Sequence, residues 1–532
     1  MELAATAEAL EQEEQRWRPS VNPWLIAMSV IVPTFMEVLD TTIANVALNH
    51  IAGSMSATYS EATWVLTSYL IANAVVLPLT AWLGNRFGRK RFLLGCIFLF
   101  TASSLLCGLS INLPTLLFMR VLQGLGGGGL APVSQAILME SFPPKKQGTA
   151  MALFGLGVVV APVIGPILGG WLTDSYSWRW VFYINFPIGL IALWAVQQTV
   201  EDPPWVRNSD PGPLDTFGFL ALATWLGCQE VCLDKGQEND WFSSGFIEVM
   251  AVLAAIGFVA FVIRELRVEK PMVDLRIFRA RNFTIGTTLM FLVGFVLYAV
   301  SLATPQFLQV LMGYSSLASG IATTPVGVGS MISMIVIGSL ASKCELRALA
   351  FTGFLVFALS AYQLSRVSLT ISPWTIFWPQ IIFGLSLGFL FIPVNVAGTA
   401  TLRRDEMGSA TGILNLFRNV GGSVGIASVS TYLARSSQAH QNMMVKNITT
   451  GNHLFLQHIG WMQAYMSVRM PASGNGLGPA LGVMYSVVQQ QTHLLAFRDL
   501  YKVLALIGVI SGLLVVFMNK AKAESDHPVI HH

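Results

Sequence analysis

Leu39-Asp40-Thr41-Thr42-Ile43-Ala44-Asn45 sets a carboxylate inside an apolar run, Trp24 to Leu48, that is long enough to cross a bilayer. Glu37 lies one turn earlier. At roughly 100° per residue, Thr34, Glu37, Asp40, Thr41 and Asn45 fall within an arc of about 140° on one helix face. The rest of the helix is mostly aliphatic. A carboxylate held in hydrocarbon is costly, so one that is kept there faces a polar interior and handles ions or substrate. A purely structural pairing with a neighbouring helix is the competing explanation. Two acids on one face exceed what one such pair requires.

Composition sets the class around this segment. The chain has 532 residues, 54% of them hydrophobic and 11% charged, where soluble domains carry about 25% charged residues. It is therefore expected to be a polytopic membrane protein. A net charge of +3, scattered along the chain, gives no footprint for nucleic acid. The first 18 residues are polar, with Glu2, Glu8, Glu11, Glu13 and Glu14, and they lack the basic start of a signal peptide. The first span is thus expected to be its own insertion signal. Cys96, Cys107, Cys228, Cys232 and Cys344 are scattered and complete no metal-ligand pattern, so they are read as packing residues with no cofactor or metal implied.

A window of about 19 residues marks fourteen spans. The first six cover 24–48, 61–83, 92–111, 115–139, 148–172 and 180–200. Two follow at 214–233 and 245–265. The last six cover 284–308, 317–341, 348–366, 374–399, 409–434 and 500–518. With the N-terminus inside, the inner connections hold Arg86-Arg89-Lys90-Arg91, Lys145-Lys146, six basic residues from Arg264 to Arg281, Lys343-Arg347 and Arg403-Arg404. The short outer connections hold only Arg179, Lys235 and Arg366. That asymmetry places both termini in the cytoplasm.

An internal repeat runs at an offset of 260 residues. Gly124-Leu125 matches Gly384-Leu385, Gly128 matches Gly388, and Gly148 and Ala150 match Gly408 and Ala410. These pairs sit in spans four and five against twelve and thirteen. Duplicated halves around a midplane site are the layout of alternating-access transporters. The predicted organisation is a tail over 1–23, a six-helix bundle over 24–200, an inserted two-helix segment over 201–270, a second six-helix bundle over 271–518 and a tail over 519–532. The second bundle carries a long outward loop over 435–499. Within it, Leu454, Phe455, His458, Trp461, Met462 and Tyr465 form an apolar stripe at helical spacing that should bury against something, followed by a flexible stretch, Pro471-Ala472-Ser473-Gly474-Asn475-Gly476. Gly124 to Gly129 formally fits a dinucleotide-binding glycine pattern, but it follows no strand and lies in a membrane span, so close helix packing explains it better.

Several further stretches carry a resemblance. They are Leu39 to Leu48, Leu83 to Lys90, Arg120-Val121-Leu122-Gln123-Gly124, and Gly165-Pro166-Ile167-Leu168-Gly169-Gly170. More specific are Trp178-Arg179-Trp180 with Asn185-Phe186-Pro187-Ile188-Gly189, Asp240-Trp241-Phe242-Ser243-Ser244, and Val273-Asp274-Leu275 running on to Arg281-Asn282-Phe283-Thr284-Ile285-Gly286. From the first span to the last, the chain resembles the major facilitator superfamily. Within it, the match is to fourteen-helix drug:proton antiporters of the EmrB type.

The resemblance implies an all-α membrane protein of the major facilitator fold that exports hydrophobic toxic compounds across a bacterial inner membrane in exchange for protons. It also implies a periplasmic adaptor (EmrA-like) and an outer-membrane channel (TolC-like) as partners. It points to Asp40 as the best partner for Arg120, with Glu37 second, and so to Asp40, Glu37 and Arg120 as the proton-coupling group. Glu37 stands where an apolar residue is usual, and it adds a second titrating site or attracts cationic substrates. Thr41, Asn45, Gln123, Asn415 and Arg418 are the expected substrate-cavity residues. Arg418 is suited to an anionic substrate, with helix-end packing as its alternative.

Conformational change is expected to involve Gly84, Asn85, Arg86, Gly88, Arg89 and Lys90, where the family usually has an acid in place of Asn85. Gly165, Pro166, Gly169 and Gly170, which permit a bend and close helix contact, are expected to share that role. Glu230 is expected to be a local structural or lipid-interface acid. No nucleophile–base pair suggests an enzyme. A transporter dedicated to one metabolite, such as a fatty acid or siderophore, and a non-transporting sensor or scaffold are the rival readings.

Overall fold

The computed structural model describes residues 19–519 apart from 208–211, 270, 342, 370–372, 404–405, 447, 449–452 and 470–476. Among the described residues there are helices and no strands. Twelve helices among the described residues are long and apolar enough to cross a membrane. The first six are α1 (Pro23–Ser54), α2 (Glu61–Phe87), α3 (Arg89–Leu109), α4 (Leu113–Ser141), α5 (Pro144–Ser175) and α6 (Trp180–Thr199). Then come α7 (Thr216–Lys235), α8 (Gly245–Arg267), α9 (Arg281–Leu311), α10 (Ala318–Leu340), α11 (Leu346–Leu364) and α12 (Pro373–Thr399).

Of the remaining two predicted spans, 409–434 falls within α13 (Met407–Val445) and 500–518 overlaps α15 (Leu477–Val515) and runs just past its end; each helix has 39 residues. Neither is among the twelve by composition. Asn415, Arg418, Asn419 and Ser423 interrupt the apolar run of α13, and Arg498, Asp499 and Lys502 interrupt that of α15. Both nonetheless pack within the bundle, α13 against α9 and α4, α15 against α11.

Helix starts follow local chemistry. The Asn22 side chain accepts from the Trp24 N–H at 3.0 Å, and Pro23 fits the first turn of α1. Thr58 and Glu61 form a reciprocal capping box at the start of α2. Gly88, at φ 84°, makes the turn between α2 and α3 in a conformation that a side chain would strain. An added Cβ there would also stand 2.6 Å from the Asp202 carboxylate.

Helices α1–α6 pack mainly on one another, as do α9–α13 with α15. Contact between the two groups runs through α5 on α10 and α12, and through α2 and α4 on α13. This seam follows the sequence repeat. An added Cβ at Gly148 would meet the Ala341 methyl at 2.9 Å, and one at Gly408 would meet the Ala81 methyl at 3.7 Å. Each member of one contact stands 260 residues from its counterpart in the other. Gln135 donates to Asn395 across the seam at 2.5 Å, again 260 residues apart. Within each group the repeat also recurs. Gly124 lies against the Tyr69 carbonyl of α2, and Gly384 lies against the Val326 carbonyl of α10.

The inserted helices are not peripheral to this arrangement. Helix α7 packs on α8, and also on α2 and α13, so it touches both groups.

The apolar stripe expected inside the 435–499 connection lies on α14 (His453–Arg469), which packs against α15. The connection is more helical than expected, because α13 continues to Val445 and α15 begins at Leu477. At about 1.5 Å per residue a 39-residue helix is about 58 Å long, nearly twice the hydrocarbon thickness of about 30 Å. Both helices therefore project beyond a bilayer. The stretch Pro471–Gly476, predicted to be flexible, lies outside the described residues.

Candidate functional site

Helices α1, α2, α3, α4 and α6 converge on Asp40. Oδ2 of Asp40 accepts from Nη1 of Arg120 at 2.6 Å, and Oδ1 accepts from Gln123 Nε2 at 2.9 Å and from Asn185 Nδ2 at 2.6 Å. Arg120 is 0% exposed and Asp40 1%. Arg120 also donates through Nη1 to Gln123 Oε1 at 2.8 Å and through Nε to the Val65 carbonyl at 2.9 Å. Its guanidinium lies 4.4 Å from the centre of the Tyr69 ring. Nη2 is buried with no hydrogen-bond partner among the described residues. Asn185 is in turn held by Ser104 Oγ at 3.0 Å, and Ser104 donates to the Phe182 carbonyl.

A fully desolvated pair survives only when such donors satisfy the remaining lone pairs. This network does so for Asp40 but leaves one guanidinium nitrogen over. Sequence reasoning missed Asn185, Ser104 and Val65. The available signal was an asparagine inside an apolar span, which is weak because neutral polar residues are common there.

Glu37 occupies a separate pocket on the same face of α1. Its Oε1 accepts from Asn73 Nδ2 of α2 at 2.9 Å, while Oε2 is buried without a hydrogen-bond partner among the described residues. Asn73 also donates to the Tyr69 hydroxyl at 3.4 Å, so Tyr69 stands between the two acids' surroundings. Arg418 of α13, 6% exposed, lies within electrostatic reach of Glu37 and of Tyr298 on α9.

The expected cavity residues divide. Asn45 is exposed on α1 and Thr41 is half-buried, its hydroxyl donating to the Val38 carbonyl at 2.9 Å. Gln123 is 0% exposed and belongs to the Asp40–Arg120 network rather than to a wall that a ligand could touch. Asn415 is likewise enclosed, donating to Gln135 at 2.6 Å in the seam that also holds Asn395.

The basic turn ties three elements together. Arg89 forms a buried ion pair with Glu140 at the end of α4. The Lys90 N–H donates to Asp202 Oδ1 at 2.9 Å. Gly408 at the start of α13 sits against the Arg89 guanidinium. Gly84 is buried and Asn85 half-buried, while Arg86 is exposed. Acids outside the Gly84–Lys90 motif, Glu140 and Asp202, thus engage it.

In α5, a Cβ at Gly165 would stand 2.1 Å from Thr42 Oγ1, and one at Gly169 would stand 3.2 Å from the Ile43 carbonyl. These glycines bring α5 onto α1 immediately beside Asp40. Pro162 and Pro166 interrupt the same helix, while Gly170 faces open space.

The model of the Major Facilitator Superfamily matches residues 30–426. The chain is 37% identical over 437 residues to the multidrug export protein EmrB of Haemophilus influenzae, covering 80% of this chain and 84% of that protein. It is 34% identical over 479 residues to the fatty acid resistance protein FarB of Neisseria gonorrhoeae, covering 90% and 92%. The solved structure of the proton:xylose symporter XylE superposes with a TM-score of 0.59 at 16% identity, covering 94% of this chain and 97% of that one, which shows the shared fold.

Proposed function

Because the chain belongs to the major facilitator superfamily, we propose that it is a proton-driven antiporter that exports hydrophobic toxic compounds across a bacterial inner membrane. It is a multi-pass membrane protein and a transporter rather than an enzyme. The observation that carries the proton-coupled reading is Asp40, whose two oxygens are both bonded in a dehydrated network that also contains a spare Arg120 N–H.

Proton binding at Asp40 would cancel its charge and leave Arg120 without a counter-ion. The guanidinium would then be held by the Val65 carbonyl, Gln123 and the Tyr69 and Phe182 rings. An unneutralised buried cation is unstable, so the packing of α1, α4 and α6 is driven to rearrange. Helix α5 rides on α1 at Gly165 and meets the C-terminal helices along the seam, which supplies a mechanical link from the proton site to the rocking of two halves. Thr41, Asn45 and Arg418 would line the substrate path, with Glu37 tuning its charge. Both termini are assigned to the cytoplasm, so the projecting ends of α13 and α15 face the periplasm. There they offer a surface to an adaptor and, through it, an outer-membrane channel.

The similarity to a fatty acid resistance protein favours a second reading, a pump dedicated to amphipathic acids. Susceptibility of cells with and without this protein to a panel of unrelated toxins and long-chain fatty acids separates the two. Reconstituted vesicles test the coupling. Substrate movement indifferent to an imposed pH gradient would remove the antiport reading.

A further inference from the structure

Glu230 lies on α7, outside both repeats, and it does not face lipid. It is 7% exposed, and its Oε1 accepts from Ser423 Oγ of α13 at 2.9 Å. One turn on, Asp234 accepts from the hydroxyl of Thr67 on α2. Helix α7 is therefore fastened by acid–hydroxyl contacts to one helix from each group. Among the described residues Glu230 has no ion-pair partner, and the cation next along, Lys235, pairs with Glu238.

The ring of Tyr298 on α9 packs at Gly422, one residue from Ser423. It lies within electrostatic reach of Glu230, Glu37 and Arg418 alike. Tyr298 thus lies near both Glu230 and the charged centre. The charged and titratable groups on the elements packed around α7 are few. They are Cys228, Cys232, Asp234 and Lys235 on α7 itself, Glu238 just beyond its end, and Glu61, Tyr69 and Arg86 on α2. Helix α8 contributes Glu248, Arg264, Glu265 and Arg267, and α13 contributes Arg418, Tyr432, Arg435 and His440. Of the acids, Asp234 is within electrostatic reach of Glu230.

We propose that Glu230 is a second proton-binding site of the transporter, distinct from Asp40, with the Ser423 hydroxyl as its switchable partner. The geometry accommodates both protonation states. With Glu230 ionised, the Ser423 O–H donates to it. With Glu230 protonated, the acid O–H donates to Ser423 Oγ, and the serine hydroxyl turns to the Asn419 carbonyl of its own helix, 3.3 Å away. No heavy atom need move, and no buried donor is orphaned in either state. Movement of α13 against α7 would make or break this contact, so the site reports the state of the seam.

The role in transport rests on the antiport reading, but proton binding itself can be measured without transport. Purified full-length protein in lipid is taken between about pH 5 and 9 in weakly buffered solution, and proton uptake is counted with a pH-sensitive dye. Glu230→Gln keeps an oxygen that accepts from Ser423 and removes the acid. It is expected to take up one proton fewer than the wild type, and the double variant with Asp40→Asn should lose a further proton. Glu230→Asp should restore the count. The infrared carbonyl band of a protonated buried carboxylic acid should titrate in wild type and in Asp40→Asn, and be absent in Glu230→Gln. Equal uptake and identical infrared spectra in wild type and Glu230→Gln would overturn the proposal, since a purely structural acid is replaced without loss by the amide. Wild-type vesicles lacking proton-coupled flux while the Glu230 band titrates would instead overturn the antiport reading alone.

Discussion

Asp40 and Arg120 are each other's counter-charge, both almost fully buried. Asp40→Asn retains the acceptor oxygen and most of the hydrogen bonds but removes the exchangeable proton. Folded protein should insert normally, while efflux driven by a pH gradient in vesicles should fall to background. Undiminished efflux with unchanged pH dependence would sink the coupling role. Arg120→Ala is expected to be harsher, leaving a buried carboxylate unpaired at a cost of about 3–5 kcal/mol, read as a lower thermal unfolding temperature and reduced membrane yield. These two residues were legible in the sequence because a charge inside an apolar span is conspicuous. Asn73, Ser104 and Asn185, which hold the pair and Glu37 in place, were not. A neutral polar side chain in a span advertises neither its direction nor a partner up to 145 residues away.

Among elements, α5 is the candidate transmitter, because Gly165 and Gly169 leave no slack against α1. Gly165→Val should clash with Thr42 and cost about 1–3 kcal/mol by overpacking. We expect stable but slow protein, with transport rate reduced more than expression. A rate equal to wild type would separate α5 from the conformational change. The projecting helices make the opposite case. Deleting residues 440–495 should leave insertion and vesicle transport measurable while lowering whole-cell resistance and crosslinking to an adaptor. Unaffected crosslinking would exclude this surface. Trp461 and Tyr465, 76% and 56% exposed on α14, are the side chains to replace next. Span positions could be read to within a few residues, and the apolar stripe of α14 was legible too, but the long extensions of α13 and α15 into 435–499 were not. Hydropathy reports where a helix meets lipid, not where it ends, and α13 and α15 continue as helices past that boundary.

At the scale of the whole molecule, the repeat becomes a pair of equivalent contacts across the seam. The Cβ positions of residues 81 and 408 lie 3.7 Å apart, within the span of about 3.5–4.5 Å that a disulfide bridges. Ala81→Cys with Gly408→Cys, on a background lacking the five native cysteines, should arrest transport on oxidation and recover on reduction. Full activity of the oxidised, crosslinked protein would show that this end of the seam need not open. The Gln135–Asn395 bond adds a constraint that belongs to palindromes. Two residues 260 apart that meet each other sit where each repeat confronts its own copy, much as an isologous dimer does on its two-fold axis. In an ancestor with identical halves, whatever stood at that point had to bind itself. A carboxylate or an ammonium would have repelled its twin, and an aliphatic pair would have left nothing directional to release on opening. A carboxamide carries a donor and an acceptor in one group, so it can grip another of its kind, and both copies have kept one.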